Sequence, residues 1–122
     1  MPSKKILLVD DDPDILSGVG DRLRSYGLDV RCESTAAGCF AALRQETPDL
    51  LLLDIRLPDG NGLDILSDLK ATYPALPVLI ISSSTRTAER ESLRRGAQGF
   101  ISKPFKMEEL KRQVFKVLGE PG

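Results

Sequence analysis

Leu50-Leu51-Leu52-Leu53-Asp54 is the stretch on which the fold turns. Four leucines in a row leave no polar alternation, so a strand here must be covered on both faces. Ile6–Val9 and Val78–Ile81 are aliphatic runs of the same kind. Leu28–Val30, continuing to Cys32, and Phe100–Ile101 are shorter strand candidates. The segments between them carry helical spacing instead. Ile15, Leu16, Val19 and Leu23 share one face of the first, and Ala36, Phe40 and Leu43 mark the second. Leu63, Leu66 and Leu69 mark the third, and Met107, Leu110, Val114, Val117 and Leu118 the last. This alternation predicts an α/β domain: a doubly wound, five-stranded parallel sheet with right-handed crossovers and helices on both faces.

Punctuation agrees with the periodicity. Pro13 suits a first helical turn with Asp12 as its N-cap, and Gly27 and Gly96 stand where helices should stop. Pro48, Pro74 and Pro77 fall in connections. The fourth helix, roughly Thr87–Arg95, has only Ala88 and Leu93 as apolar residues, which predicts a loosely held element. Residues 1–118 read as one domain, with Gly119-Glu120-Pro121-Gly122 as a terminus or the start of a linker.

A chain of 122 residues accommodates a single core, and its apolar fraction of 41% and charged fraction of 29% are those of a globular protein. No apolar run is long enough to cross a bilayer, and the start, Met1-Pro2-Ser3-Lys4-Lys5, has no cleavable signal pattern, so a cytoplasmic location is expected. A net charge of −1 and the absence of a DNA-binding motif speak against direct nucleic-acid binding. The charge is uneven, with nine bases against four acids from Arg86 to Lys116. That region reads either as a docking or dimer face or as a set of solvated helix surfaces. Cys32 and Cys39 form no CxxC pair, and both are expected to be reduced. The chain has no histidine, which excludes His-based acid–base catalysis, His metal ligation and a phosphohistidine of its own.

In open parallel sheets, ligands bind at the carboxyl ends of the strands. Asp10, Asp11 and Asp12 follow the first strand, Asp54 ends the third, Ser82 the fourth, and Lys103 lies just beyond the fifth. Asp12 is better explained as a helix cap than as a ligand. An acid ending a buried strand, as Asp54 does, requires a reason. Crowded carboxylates repel one another, and a hard divalent cation such as Mg²⁺ relieves that repulsion while keeping several waters. With Lys103 as a fixed positive charge, such a site suits a phosphoryl group attacked in line by a carboxylate.

Four ordered motifs give the chain, from Lys4 to Leu118, a family resemblance. They are Ile6-Leu7-Leu8-Val9-Asp10-Asp11-Asp12-Pro13, Leu51-Leu52-Leu53-Asp54-Ile55-Arg56-Leu57-Pro58 with Gly62, Pro77-Val78-Leu79-Ile80-Ile81-Ser82, and Gly96-Ala97 with Gly99-Phe100-Ile101-Ser102-Lys103-Pro104-Phe105. Together they resemble the receiver domains of response regulators in bacterial two-component signalling. The resemblance implies a flavodoxin-like (βα)5 fold with strand order 2-1-3-4-5. It implies that Asp54 accepts a phosphoryl group from phosphohistidine on a sensor histidine kinase or phosphotransfer protein. Mg²⁺ (or Mn²⁺) would be held by Asp11, Asp54 and the backbone carbonyl of Arg56, with Asp10 acting mainly through metal-bound water. Lys103 and Ser82 would contact the phosphoryl group, and Ser82 and Phe100 would act as the switch. Arg56 and Ser84 occupy positions that tune hydrolysis rate. Output would pass through the face of the last two helices and the last strand to an effector domain, a partner protein or a second copy. Such a domain is not an enzyme beyond its own phosphoryl transfer and slow autodephosphorylation.

Departures from the family pattern lie around the site. Ser82 replaces the commoner threonine, Ser83 stands where Ala or Gly is usual, and Phe100 replaces a frequent tyrosine. Gly60 replaces a typical Met, with Asp59 and Asn61 beside it, which predicts a less anchored loop after Asp54. Three rival readings exist. Asp10-x-Asp12 with Ser82 and a later lysine imitates aspartate-nucleophile phosphatases of the haloacid-dehalogenase type, but Asp14 stands where that motif wants Thr or Val. A flavodoxin-like electron carrier fits poorly with 5% aromatic residues. A phosphorylation-independent interaction module is disfavoured by the intact acidic set.

Overall fold

The computed structural model describes residues 3–83 and 85–120. Five strands, β1 (Lys5–Val9), β2 (Asp29–Glu33), β3 (Leu50–Leu53), β4 (Val78–Ser82) and β5 (Gly99–Ser102), form one parallel sheet in the order 2-1-3-4-5. Helices α1 (Pro13–Ser25), α2 (Ala36–Gln45), α3 (Gly62–Thr72), α4 (Arg86–Arg94) and α5 (Met107–Leu118) alternate with them. This is the doubly wound (βα)5 arrangement expected from the alternation of runs. The strand order reverses between β1 and β3, so a crevice opens at the carboxyl ends of these two strands.

Side chains alternate across the sheet and divide the core in two. Leu7, Val9, Leu51, Leu53, Val78 and Ile80 face α2 and α3, meeting Cys39, Leu43, Ile65, Leu66 and Leu69. Ile6, Leu8, Leu50, Leu52, Leu79 and Ile81 face α1 and α5, meeting Val19, Leu23, Leu110 and Val114. The four leucines of β3 therefore serve both cores, and each is fully buried. Each such side chain contributes roughly 1.5–3 kcal/mol through burial.

Caps fix where the helices begin. The Asp12 carboxylate accepts from the Asp14 amide, Thr35 caps α2, Asn61 caps α3 and Thr85 caps α4. Gly27 (φ 91°) and Gly96 (φ 105°) end α1 and α4 in left-handed backbone, where a side chain would be strained. α4 is thinly packed: Leu93 is exposed, Ala88 only partly buried, and its buried residue is Ser92. The Ser92 hydroxyl bonds back to the carbonyls of Ala88 and Glu89, which is how a polar residue fits that position. In α3 the core face centres on Ile65 as well as Leu66 and Leu69, while Leu63 lies at its margin.

The expectation of a weakly anchored loop after β3 is overturned. Arg56–Leu57 pairs with Gly60–Asn61 in a small antiparallel ladder, and Leu57 packs on the core. The Gly62 amide donates to the Ile55 carbonyl, and the Asn61 side chain accepts from the Leu63 amide. The Asp59 carboxylate accepts from the amides of Ala36 and Ala37 at the start of α2. Hydrogen bonds at the tip and stem replace the apolar anchor that a larger residue at position 60 would supply.

Candidate functional site

β1 and β3 run side by side with Val9 opposite Leu53, so the next residues, Asp10 and Asp54, emerge abreast at the switch point. Backbone bonds hold both: the Asp10 amide donates to the Glu33 carbonyl and the Asp54 amide to the Val9 carbonyl. Asp10 is fully buried, Asp54 nearly so, and Asp11 is exposed. Carboxylate oxygens of Asp10, Asp11 and Asp54 lie within 4.8 Å of one another.

Lys103 reaches this cluster from the far side of the sheet. Its amide donates to the Ser82 carbonyl, which fixes the chain just after β5 against the end of β4. The Lys103 ammonium donates to Asp10 Oδ2 at 2.7 Å and stands 3.5 Å from Asp54 Oδ2. The peptide between Lys103 and Pro104 is cis. Two further amides aim at the acids: Asp12 N–H donates to Asp10 Oδ1 and Arg56 N–H to Asp54 Oδ1.

These contacts set the electrostatics. Burial, and then the charge of Asp10, push the Asp54 carboxyl above the usual carboxylate range, against the pull of Lys103 and the Arg56 amide. Burial alone would lower the Lys103 ammonium, but the hydrogen bond to Asp10 and the charges of Asp54 and Asp10 outweigh it and raise it. The site thus combines one ammonium with three carboxylates, an excess of negative charge in a largely dehydrated place. An all-oxygen donor set of this kind fits a hard divalent cation.

Of the residues singled out in the sequence, Asp10, Asp11, Asp54 and Lys103 come together. Ser82 is buried at the carboxyl end of β4, beside them along the strand register. Arg56 lies in the adjoining loop with its side chain exposed. Phe100 stands apart, opposite Ile80 on β5, half-buried against the core shared by α2, α3 and α4. Ser84 falls outside the described residues. Asp12 is occupied as a helix cap. Cys39 is buried, which pushes its thiol up to about 12, and Cys32 is half-buried, so neither is a reactive thiolate. Asp59 had no marked place in the sequence, because its partners lie more than twenty positions away.

Among the described residues, no helix is long and apolar enough to cross a membrane. An apolar groove opens beside the site, lined by Ile15, Val19, Lys103, Pro104, Phe105 and Met107.

Residues 6–115 match the family described as the response regulator receiver domain. The transcriptional regulatory protein KdpE of Mycobacterium tuberculosis is 36% identical over 105 residues, covering 85% of this chain and 46% of that protein. A CheY-like receiver domain protein of Methanospirillum hungatei superposes with a TM-score of 0.91 at 30% identity, covering 96% of this chain and 94% of its own. The BeF3-activated receiver domain of DrrB gives 0.88 at 28% identity, covering 97% and 99%. The chain spans about half the length of the first curated relatives it matches. The buried acid pair, the lysine that joins them, the 2-1-3-4-5 sheet and these matches agree: the chain belongs to the response regulator receiver domains, the signalling domains of two-component systems.

Proposed function

We propose that this chain is a Mg²⁺-dependent phosphorylation switch with Asp54 as the phosphoacceptor. The observation that carries the reading is the meeting of Asp10, Asp11 and Asp54, with the Lys103 ammonium set against Asp10 and Asp54. An Asp54 carboxylate oxygen bonds to phosphorus while the phosphorus–nitrogen bond of a phosphohistidine breaks, its electron pair returning to the imidazole. Because this chain has no histidine, the donor is a sensor histidine kinase or a phosphotransfer protein.

Asp10, Asp11, Asp54 and the Arg56 carbonyl would hold Mg²⁺ (or Mn²⁺), Asp10 mainly through a bound water. When bound, the ion offsets negative charge on the phosphoryl oxygens. Lys103 supplies a second, fixed positive charge for the same oxygens. Ser82 draws toward the phosphoryl group with its hydroxyl, and Phe100 repacks in response. These two residues carry the change to the face formed by α4, β5 and α5. Contacts made only in the phosphorylated state favour that state, so the switch is a population shift. The domain catalyses only its own phosphorylation and slow dephosphorylation, with Arg56 and Ser84 tuning the rate. Output passes to an effector domain, a partner protein or a second copy. The likeness to KdpE, a transcriptional regulatory protein, supports a transcriptional output.

Intact-mass measurement with Mg²⁺ and acetyl phosphate tests the reading. The expected result is a gain of one phosphoryl group that Asp54→Asn abolishes. Absence of the adduct with both acetyl phosphate and a cognate phosphohistidine protein would sink it.

A further inference from the structure

The amides of Ala36, Ala37 and Gly38 at the start of α2 have no carbonyl within the helix to bond to, and the helix's own cap accounts for only one of them. Thr35 takes Gly38 N–H on its hydroxyl at 2.9 Å, while the Cys39 N–H on the Thr35 carbonyl, at 3.0 Å, is the first bond of the regular helical ladder. The other two belong to Asp59: Ala36 N–H donates to Oδ1 at 2.7 Å and Ala37 N–H to Oδ2 at 3.0 Å. A helix start normally finds these partners within its own capping box or in water. Here they come from the loop after β3.

That loop transmits position. Asp59 sits at the tip of the two-pair ladder, next to Gly60, which is paired with Leu57, and one pair further on Asn61 faces Arg56. A Cβ at Gly60 would meet Ile65 Cδ1 at 3.3 Å and the Ala36 Cβ at 3.5 Å, so the bare glycine lets α2 and α3 close onto the tip. The other end of the ladder is Arg56, whose amide already donates to Asp54. Displacing the tip therefore displaces the Arg56 peptide.

We infer that Asp59 is a positioning residue for the metal site, holding the Arg56 carbonyl in place by tying its loop to the first turn of α2. The inference rests on the proposed Mg²⁺ site. The amides of Ala37 and Ala36 also hold the Asp59 carboxyl below the usual range, in keeping with an engaged carboxylate.

The test is titration of the unphosphorylated chain with Mg²⁺ alone, followed by calorimetry and by the Arg56 amide resonance. Asp59→Ala is expected to weaken Mg²⁺ binding on the order of tenfold, as loss of outer support does at other metal sites. The Ala36 and Ala37 amides should exchange with solvent faster in the same variant. Asp59→Asn loses the charge but keeps one accepting oxygen, and is expected to retain most of the affinity. Unchanged binding in Asp59→Ala overturns the inference. Equal losses in the Asn and Ala variants also overturn it, because distant charge rather than the tie would then be responsible. A wild-type chain that binds Mg²⁺ yet accepts no phosphoryl group defeats the switch reading alone, and one that binds no Mg²⁺ defeats both.

Discussion

Gly62 lies where the start of α3 presses against the strand that delivers Asp54. A Cβ there would stand 2.5 Å from the Asp54 carbonyl oxygen and 2.5 Å from Ile55 Cα, both backbone atoms that cannot swing aside. Gly62→Ala is therefore expected to destabilise the domain by about 1–3 kcal/mol, as overpacking does, and to displace Asp54 as well. Urea unfolding measures the first effect, and the rate of acetyl phosphate labelling the second. A midpoint equal to wild type would contradict the crowding. At this scale the acids and Lys103 were legible in the sequence, because each directly follows a hydrophobic strand and a parallel sheet gathers such positions at one edge. Asp59 was not legible. Pro58-Asp59-Gly60 carries the marks of an ordinary turn, and the amides it captures are brought near only by tertiary folding.

Helix α4 buries little apolar surface, and ion pairs tie its carboxyl end to α3. Arg95, just past its end, reaches Asp64 on α3 at 3.1 Å and Ser67 at 3.4 Å while also gripping Glu91 at 2.8 Å. Hydrogen bonds from Arg95 and then Arg94 hold the Glu91 carboxyl below the ordinary carboxylate range. Glu91 thus contributes stability that is complete above that range and is lost as pH falls through its lowered value. Arg95→Ala is expected to bring the Glu91 titration midpoint back up, followed by carbon NMR, and to speed α4 amide exchange severalfold while β1 and β3 stay protected. A Glu91 midpoint that does not move would contradict the assignment. The sequence made α4 legible as a weakly apolar helix. It could not reveal that the buried position is Ser92, since a serine satisfied by its own helix is indistinguishable in a pattern from an exposed one. The strands were legible for the opposite reason: burial on both faces leaves them unbroken runs of Leu, Ile and Val.

Across the whole molecule, the sheet separates two cores but also joins them. Leu51 faces α2 and α3, Leu52 faces α1 and α5, and both are fully buried on one strand. Leu51→Ala and Leu52→Ala are each expected to cost about 2–5 kcal/mol. In both variants, circular dichroism and tyrosine fluorescence should lose their signals in one shared urea transition. Separate transitions for the two probes would mean that the cores unfold independently. Strand order was legible at this scale only through the family resemblance, since alternation alone gives a parallel sheet without saying which strands are neighbours. The ion pair between Asp10 and Lys103 spans 93 positions of the chain. Translation proceeds from the amino end, so Asp10 and Asp54 leave the ribosome before Lys103 has been added. An abandoned translation product ending short of residue 103 would carry the crowded acids without the cation that balances them, and the site is among the last parts of the domain to be completed.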